Sequence, residues 1–250
     1  IEERATAPCA AVVPRAEDRS NGLSRYVKHS HAQLRRDRPL QQPLDSHAVC
    51  GMRVLVACEY SGRVRDAFRR HGHDAWSCDL LECEADPTWH YQRPVEEILD
   101  QGWDLMVAHP PCTHLAVSGS RHFPEKIADG RQQQALDFVR LLMDAPIDRW
   151  CIENPVSVIS SAIRPPDQII QPWEYGHGEV KATCLWLKNL PRLRPTNCVE
   201  GREPKVHLMP PGPDRWKERS RTFKGVAAAM GDQWGKGNLP VCMEQGFLFA

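Results

Sequence analysis

Cys112 is the residue of this sequence best placed for covalent chemistry. It ends the run His109-Pro110-Pro111-Cys112, and two prolines stiffen the backbone ahead of its thiol. A cysteine is a strong nucleophile even when only a few per cent is thiolate, and nearby positive charge or a helix N-terminus lowers its pKa. His109 and His114 flank it, and the sequence assigns neither as a base. Glu153 is the second reactive residue. It follows the apolar run Arg149-Trp150-Cys151-Ile152 and precedes Asn154-Pro155. Partial burial there is expected to raise its carboxyl pKa, so that it acts as a proton donor. A nucleophile and an acid together suit an electron-poor pyrimidine. The thiolate adds to C6 once N3 is protonated, and C5 becomes a carbon nucleophile. The plain alternative is an inert thiol on a structural Pro-Pro-Cys turn.

The elements that must position these groups follow from the hydrophobic pattern. Buried strands are expected at Arg53–Cys58, Asp74–Asp79, Trp103–His109, Arg149–Glu153 and around Ala182–Leu187. Helices are expected over 63–71, closed by Gly72, over 129–144 and over about 224–234. Residues 146–213 hold 11 of the 21 prolines and read as loop interrupted by one strand. Strands alternating with helices imply an α/β fold with a mainly parallel sheet. Ligands of such sheets bind outside the carboxyl ends of the strands. Gly62, Asp79, Cys112 and Glu153 all fall at predicted strand ends. Gly62 permits a tight turn and close approach of a ligand. Asp79 could bind ribose hydroxyls, or could be an ordinary helix cap or surface carboxylate.

Composition narrows the class. Net charge is zero, but residues 161–240 carry 13 Lys and Arg against 8 Asp and Glu. Such a basic half attracts phosphate or is ordinary solvated surface. No apolar run reaches the roughly 18 residues of a membrane helix, so no spanning segment is expected. The ten cysteines include no C-x-x-C pair, which argues against a zinc site, and no metal is expected. Cys58, Cys78, Cys151 and Cys184 fall in predicted buried strands and read as small apolar residues of a reducing cytoplasm. Residues 1–51 are rich in Arg, Pro, Ser, Gln and Asp, and the first methionine is Met52. They read as a disordered tail or as translated sequence upstream of the true start.

Pro110-Pro111-Cys112 resembles the catalytic Pro-Cys motif of the cytosine-C5 DNA methyltransferase family. Ile152-Glu153-Asn154-Pro155 resembles its Glu-Asn-Val motif, at a similar separation of about 40 residues. Val54 to Gly62 is similar to the first cofactor motif and Cys78-Asp79 to the second. Gly178 to Leu187 is similar, more loosely, to the Gln-x-Arg-x-Arg strand that helps hold the flipped base. The resemblance spans roughly residues 52–235. Several positions depart from the family pattern. Glu59-Tyr60-Ser61-Gly62 stands for Phe-x-Gly-x-Gly, Thr113 for Gln, Pro155 for Val, and Lys181 and Thr183 for arginines. The Gly-Asp expected near Arg93-Pro94 is absent. No large target-recognition domain fits between 187 and 224.

The resemblance implies a Rossmann-like S-adenosylmethionine-dependent methyltransferase fold. Residues 52–240 would form a single catalytic domain, with about 160–222 as a reduced, proline-rich recognition region and 241–250 as a tail. S-adenosyl-L-methionine would lie against Glu59, Tyr60, Ser61, Gly62, Asp79 and Pro110. Cys112, Glu153 and Lys181 would carry the chemistry. Asn154, Ser118, Thr183, Arg219 and Arg221 would meet substrate or DNA, either a duplex with a flipped base or a single strand. Compact phage-encoded relatives fit this size. Two other readings stay open: a pyrimidine-nucleotide C5-modifying enzyme with the same cysteine chemistry, and a degenerate relative that binds DNA or nucleotide without turnover.

Overall fold

The computed structural model describes residues 51–236. The expectations for residues 1–50 and 241–250 lie outside the described residues. One seven-stranded sheet organises the rest, in the order β3-β2-β1-β4-β5-β7-β6. Its strands are β1 (Arg53–Ala57), β2 (Asp74–Asp79), β3 (His90–Gln92), β4 (Leu105–Ala108), β5 (Arg149–Pro155), β6 (Gln168–Ile170) and β7 (Thr183–Lys188). The first five pair in parallel; β7 runs antiparallel to β5, and β6 antiparallel to β7.

Helices cover both faces of the sheet. They are α1 (Arg63–Arg69), α2 (Phe123–Ala128), α3 (Arg131–Met143), α4 (Ile159–Ala162), α5 (Lys205–Leu208), α6 (Arg215–Ser220) and α7 (Lys224–Gly235). Strands β1 and β4 are central and therefore apolar almost throughout, as parallel strands covered on both faces must be. Alternation splits their side chains between two cores. Leu55, Ala57, Met106, Ala108 and Ile152 pack with Leu136, Val139 and Leu142 of α3. Val54, Val56, Leu105, Val107 and Cys151 pack with Phe68 of α1 and with Met230 and Trp234 of α7. The doubly wound α/β architecture follows from this two-sided burial.

The expected strands and helices are present, with β5 reaching Pro155 and the first helix ending at Arg69 rather than 71. Gly72 lies beyond that helix, at φ +80° in the turn that follows. The proline-rich stretch is corrected in one respect: beyond β5 it holds two strands, β6 and β7, not one. β6 hides in the sequence because three residues paired on one side only, with Ile169 exposed, carry too short a pattern. β3 is equally short and lies at the opposite sheet edge.

The sheet changes winding direction between β1 and β4, the crevice where ligands of such sheets bind. The carboxyl ends of β1, β2, β4 and β5 carry Glu59–Gly62, Asp79, His109–Cys112 and Glu153. Because β7 runs against its neighbours, its beginning lies at this same edge, with Thr183 opposite Pro155 and Cys184 opposite Asn154.

Helices α1 and α7 meet closely on the second core. A Cβ at Gly231 would fall 2.8 Å from the backbone of Ala67. Gly to Ala in a helix interior ordinarily stabilises by about 1 kcal/mol, but here overpacking opposes it at about 1–3 kcal/mol. Gly231→Ala is therefore expected to lower the midpoint of thermal unfolding, not raise it.

Candidate active site

Cys112 opens a turn in which its carbonyl accepts from the amides of Leu115 and Ala116. Three side chains pin this loop. Asn154 Nδ2 donates to the Pro110 carbonyl at 2.8 Å, Lys126 Nζ to the Thr113 carbonyl at 2.7 Å, and Gln132 Nε2 to the His114 carbonyl at 3.2 Å. The chain just past Glu153 and Asn154 adds two backbone bonds, Val117 to Val156 and Leu115 to Val158. The loop that carries Cys112 is thus held against the end of β5. Burial and the charge of Glu153 push its pKa up, while Lys181 and Arg219 oppose them. In this state the group is a thiol, close enough to Glu153, Lys181 and Arg219 to feel their charges.

Glu153 and His109 form a buried pair. His109 Nδ1 donates to Glu153 Oε2 at 3.0 Å, and only 8% and 15% of the two side chains is exposed. The expectation of a raised Glu153 carboxyl is corrected. Burial does push it up, but the His109 hydrogen bond, the His109 charge and Lys181 together outweigh burial, and the net direction is down. His109 moves oppositely. Burial lowers its imidazole, yet the bond to Glu153 and the charges of Glu153 and Glu59 carry it above its ordinary value. Glu153 is therefore a carboxylate at neutral pH and accepts the hydrogen bond of His109. Sequence reasoning left His109 without a role because its partner lies 44 residues away.

Lys181 precedes β7. Its Nζ donates to the Arg219 carbonyl at 2.9 Å, and it lines a narrow cleft with Glu153, Thr183, Thr222 and Phe223. Thr183 donates its hydroxyl to the Lys181 carbonyl. Arg219 is half-buried in the same neighbourhood. Asn154 belongs to the site as the clamp on the Cys112 loop through Nδ2, while its buried Oδ1 has no partner among the described residues. Ser118 is exposed on a short 3-10 segment, and Arg221 is engaged by Glu84 and Glu218.

The first strand end is built differently from its sequence appearance. Gly62 stands at φ +69°, the left-handed conformation that starts α1. Glu59 turns back onto that helix: its carboxylate accepts from the amides of Val64 at 2.8 Å and Arg65 at 3.2 Å, and from Ser61 Oγ at 3.1 Å. It neutralises the orphan donors of the first turn. Tyr60 is buried, and its hydroxyl donates to the Lys217 carbonyl at 2.7 Å and shares a hydrogen bond with Ser220. Tyr60 thereby docks α6 over the site. Arg65, fully buried, bonds Ser77 and the carbonyls of Asp86 and Trp89, shaping the loop after β2. Asp79 accepts from the Leu81 amide, and burial raises its carboxyl pKa to about 6.

No group of three or more His, Cys, Asp or Glu residues among the described residues could hold a metal ion. No helix among them is long and apolar enough to cross a membrane.

The raised Asp79 carboxyl has a measurable consequence. A proton held more tightly in the folded chain contributes stability that is full below about pH 4 and lost as pH rises through about 6. Asp79→Asn should match the parent below pH 4 and exceed it by roughly 2–3 kcal/mol at pH 8 in denaturant unfolding. An unchanged pH dependence would show that Asp79 is not held as described.

No protein-family model matches this chain, and no curated protein does.

Proposed function

We propose that this protein is an S-adenosylmethionine-dependent methyltransferase acting at C5 of cytosine in DNA, through a covalent Cys112 adduct. The observation that carries the reading is that Cys112, after β4, lies within electrostatic reach of Glu153 on β5 and Lys181 ahead of β7, and that the latter two line one narrow cleft at the carboxyl-end edge of the parallel strands. The sheet supports it as well. Its seven strands, mostly parallel with one antiparallel strand between β5 and β6, are compatible with a Rossmann-like fold.

The cofactor suits the residues present. A dinucleotide needs free helix N-terminal amides for its pyrophosphate, but at α1 Glu59 takes those of Val64 and Arg65. Two carboxyl groups, Glu59 and Asp79, favour a ligand without phosphates and with positive charge. Asp79 would hold the ribose hydroxyls, and the left-handed turn at Gly62 would lie beneath the ligand. Tyr60, Ser61 and Glu59 would act by shaping the turn, since their polar atoms bond within the chain. When bound, S-adenosylmethionine supplies the electrophilic methyl group that C5 accepts.

The chain's own residues do the rest. Cys112 loses its proton and adds to C6. Glu153 holds the ring at N3 and at the exocyclic amine. Lys181 and Arg219 stabilise the thiolate, opposing the burial that disfavours it. After C5 is alkylated, a base removes its proton and the Cys112 thiolate leaves, restoring the aromatic ring.

Transfer of a labelled methyl group to DNA, with mass spectrometry of the nucleosides, tests the proposal and identifies the base. Cys112→Ser should lose transfer by at least about 10³-fold. Undiminished transfer by that variant would end the mechanism, and label appearing only on free pyrimidine nucleotides would move the substrate class.

A further inference from the structure

We propose that His109 is a positioning residue for this reaction: its hydrogen bond to Oε2 fixes Glu153 as an acceptor, so that the other carboxylate oxygen holds a proton on the pyrimidine ring instead of donating one. The inference rests on the reading in the preceding subsection and changes how its acid step works.

The geometry is specific. His109 Nδ1 occupies Glu153 Oε2 at 3.0 Å, which leaves Oε1 for the ring. Both residues are fixed from behind. The His109 amide donates to the Ala57 carbonyl at 2.9 Å, so the residue is tied to β1. Glu153 lies within β5, opposite Leu185 of β7. Asn154, its neighbour, clamps the Pro110 carbonyl one residue past His109. The imidazole is buried, and its Nε2 has no protein partner among the described residues. The charged groups around it are Glu153 from β5, Glu59 beyond β1, Asp79 beyond β2 and Lys181 ahead of β7. Burial disfavours a charged ring, Lys181 opposes it as well, and the hydrogen bond and charge of Glu153 with the charge of Glu59 outweigh them in direction.

An ionised Glu153 cannot give a proton to N3, and the proton balance must reflect that. One proton from water is taken up by cytosine N3 as the ring enters. Glu153 Oε1 accepts from N3–H, while Oε2 stays on His109. Cys112 gives its thiol proton to water and regains one when the C6–S bond breaks; the thiolate forms its bond to C6, and the electron pair of the C5=C6 bond moves toward C5 and the protonated ring, leaving it neutral. After C5 is alkylated and loses its proton to a base, the C6–S bond breaks and N3 returns its proton to water. His109 and Glu153 end as they began. The active form is the carboxylate, so activity falls as pH drops through the Glu153 pKa. The His109 charge keeps that limb low.

The test compares His109→Phe, which keeps bulk without a donor, with His109→Asn, which keeps a neutral donor. It uses labelled cofactor and DNA in single turnover with the full chain. Both variants should move the acid limb of the rate profile upward. The Phe variant should be slowed about 10–100-fold and the Asn variant less, each with KM within about 3-fold of the parent. In the substrate-free chain, the His109 ring should titrate by NMR above the ordinary imidazole value and fall toward it in Glu153→Gln. Parent-like rate and pH dependence in His109→Phe would overturn the inference, as would an ordinary His109 titration in an active parent. If the parent modifies no pyrimidine while the pair still titrates together, the proposed reaction fails and this role fails with it.

Discussion

A buried hydrogen bond beside the His109–Glu153 pair holds the two halves of the candidate site in place. Asn154 Nδ2 donates to the carbonyl of Pro110, and through it the end of β5 holds the loop that begins at β4. Both groups are buried, so breaking the bond would leave an unpaired carbonyl at a cost of about 1–3 kcal/mol. His109 and Cys112 lie on either side of the clamped proline, and Glu153 directly precedes Asn154. The separation of nucleophile and carboxylate is therefore set by a backbone-anchored contact rather than by two flexible side chains. Such rigidity matters for an addition whose reacting atoms must be held in near-attack geometry.

Charge is arranged around that clamp in two zones. On the β1 and β2 side, Glu59 and Asp79 present carboxyl groups, one of them engaged with the helix amides and one buried and reluctant to ionise. On the β7 side, Lys181 and Arg219 present cations to Cys112. His109 stands between the zones, and its proton links them. Burial magnifies each of these interactions, since there is little water to screen them.

The pattern of the sheet was legible because its central strands must be apolar on both faces. Arg53–Ala57 and Leu105–Ala108 could be nothing else, and the glycine, proline and acidic residues at their ends marked the functional edge. Cys112 and Glu153 were legible as types at strand ends. The roles of Glu59 and Asn154 were not, because each depends on where a carboxyl or amide turns after folding. The same holds for Lys126 and Gln132, which sit on helical surfaces with no local mark of their distant carbonyl partners. The direction of the Glu153 shift was misjudged for the same reason: burial can be inferred from a strand, whereas a partner 44 residues away cannot. β6 escaped because three residues at an edge carry no periodicity.

The reversed direction of β7 divides responsibility within the fold. Its opening residues lie at the carboxyl-end edge of the parallel strands, and the segment before them, 171–182, pairs with residues 197–203. Insertions or deletions in that segment would therefore reshape what the cleft admits while leaving the glycine turn, Asp79 and the clamped cysteine in place. A scaffold wired in this way lets the border of the cleft vary independently of the strand ends that carry Cys112 and Glu153.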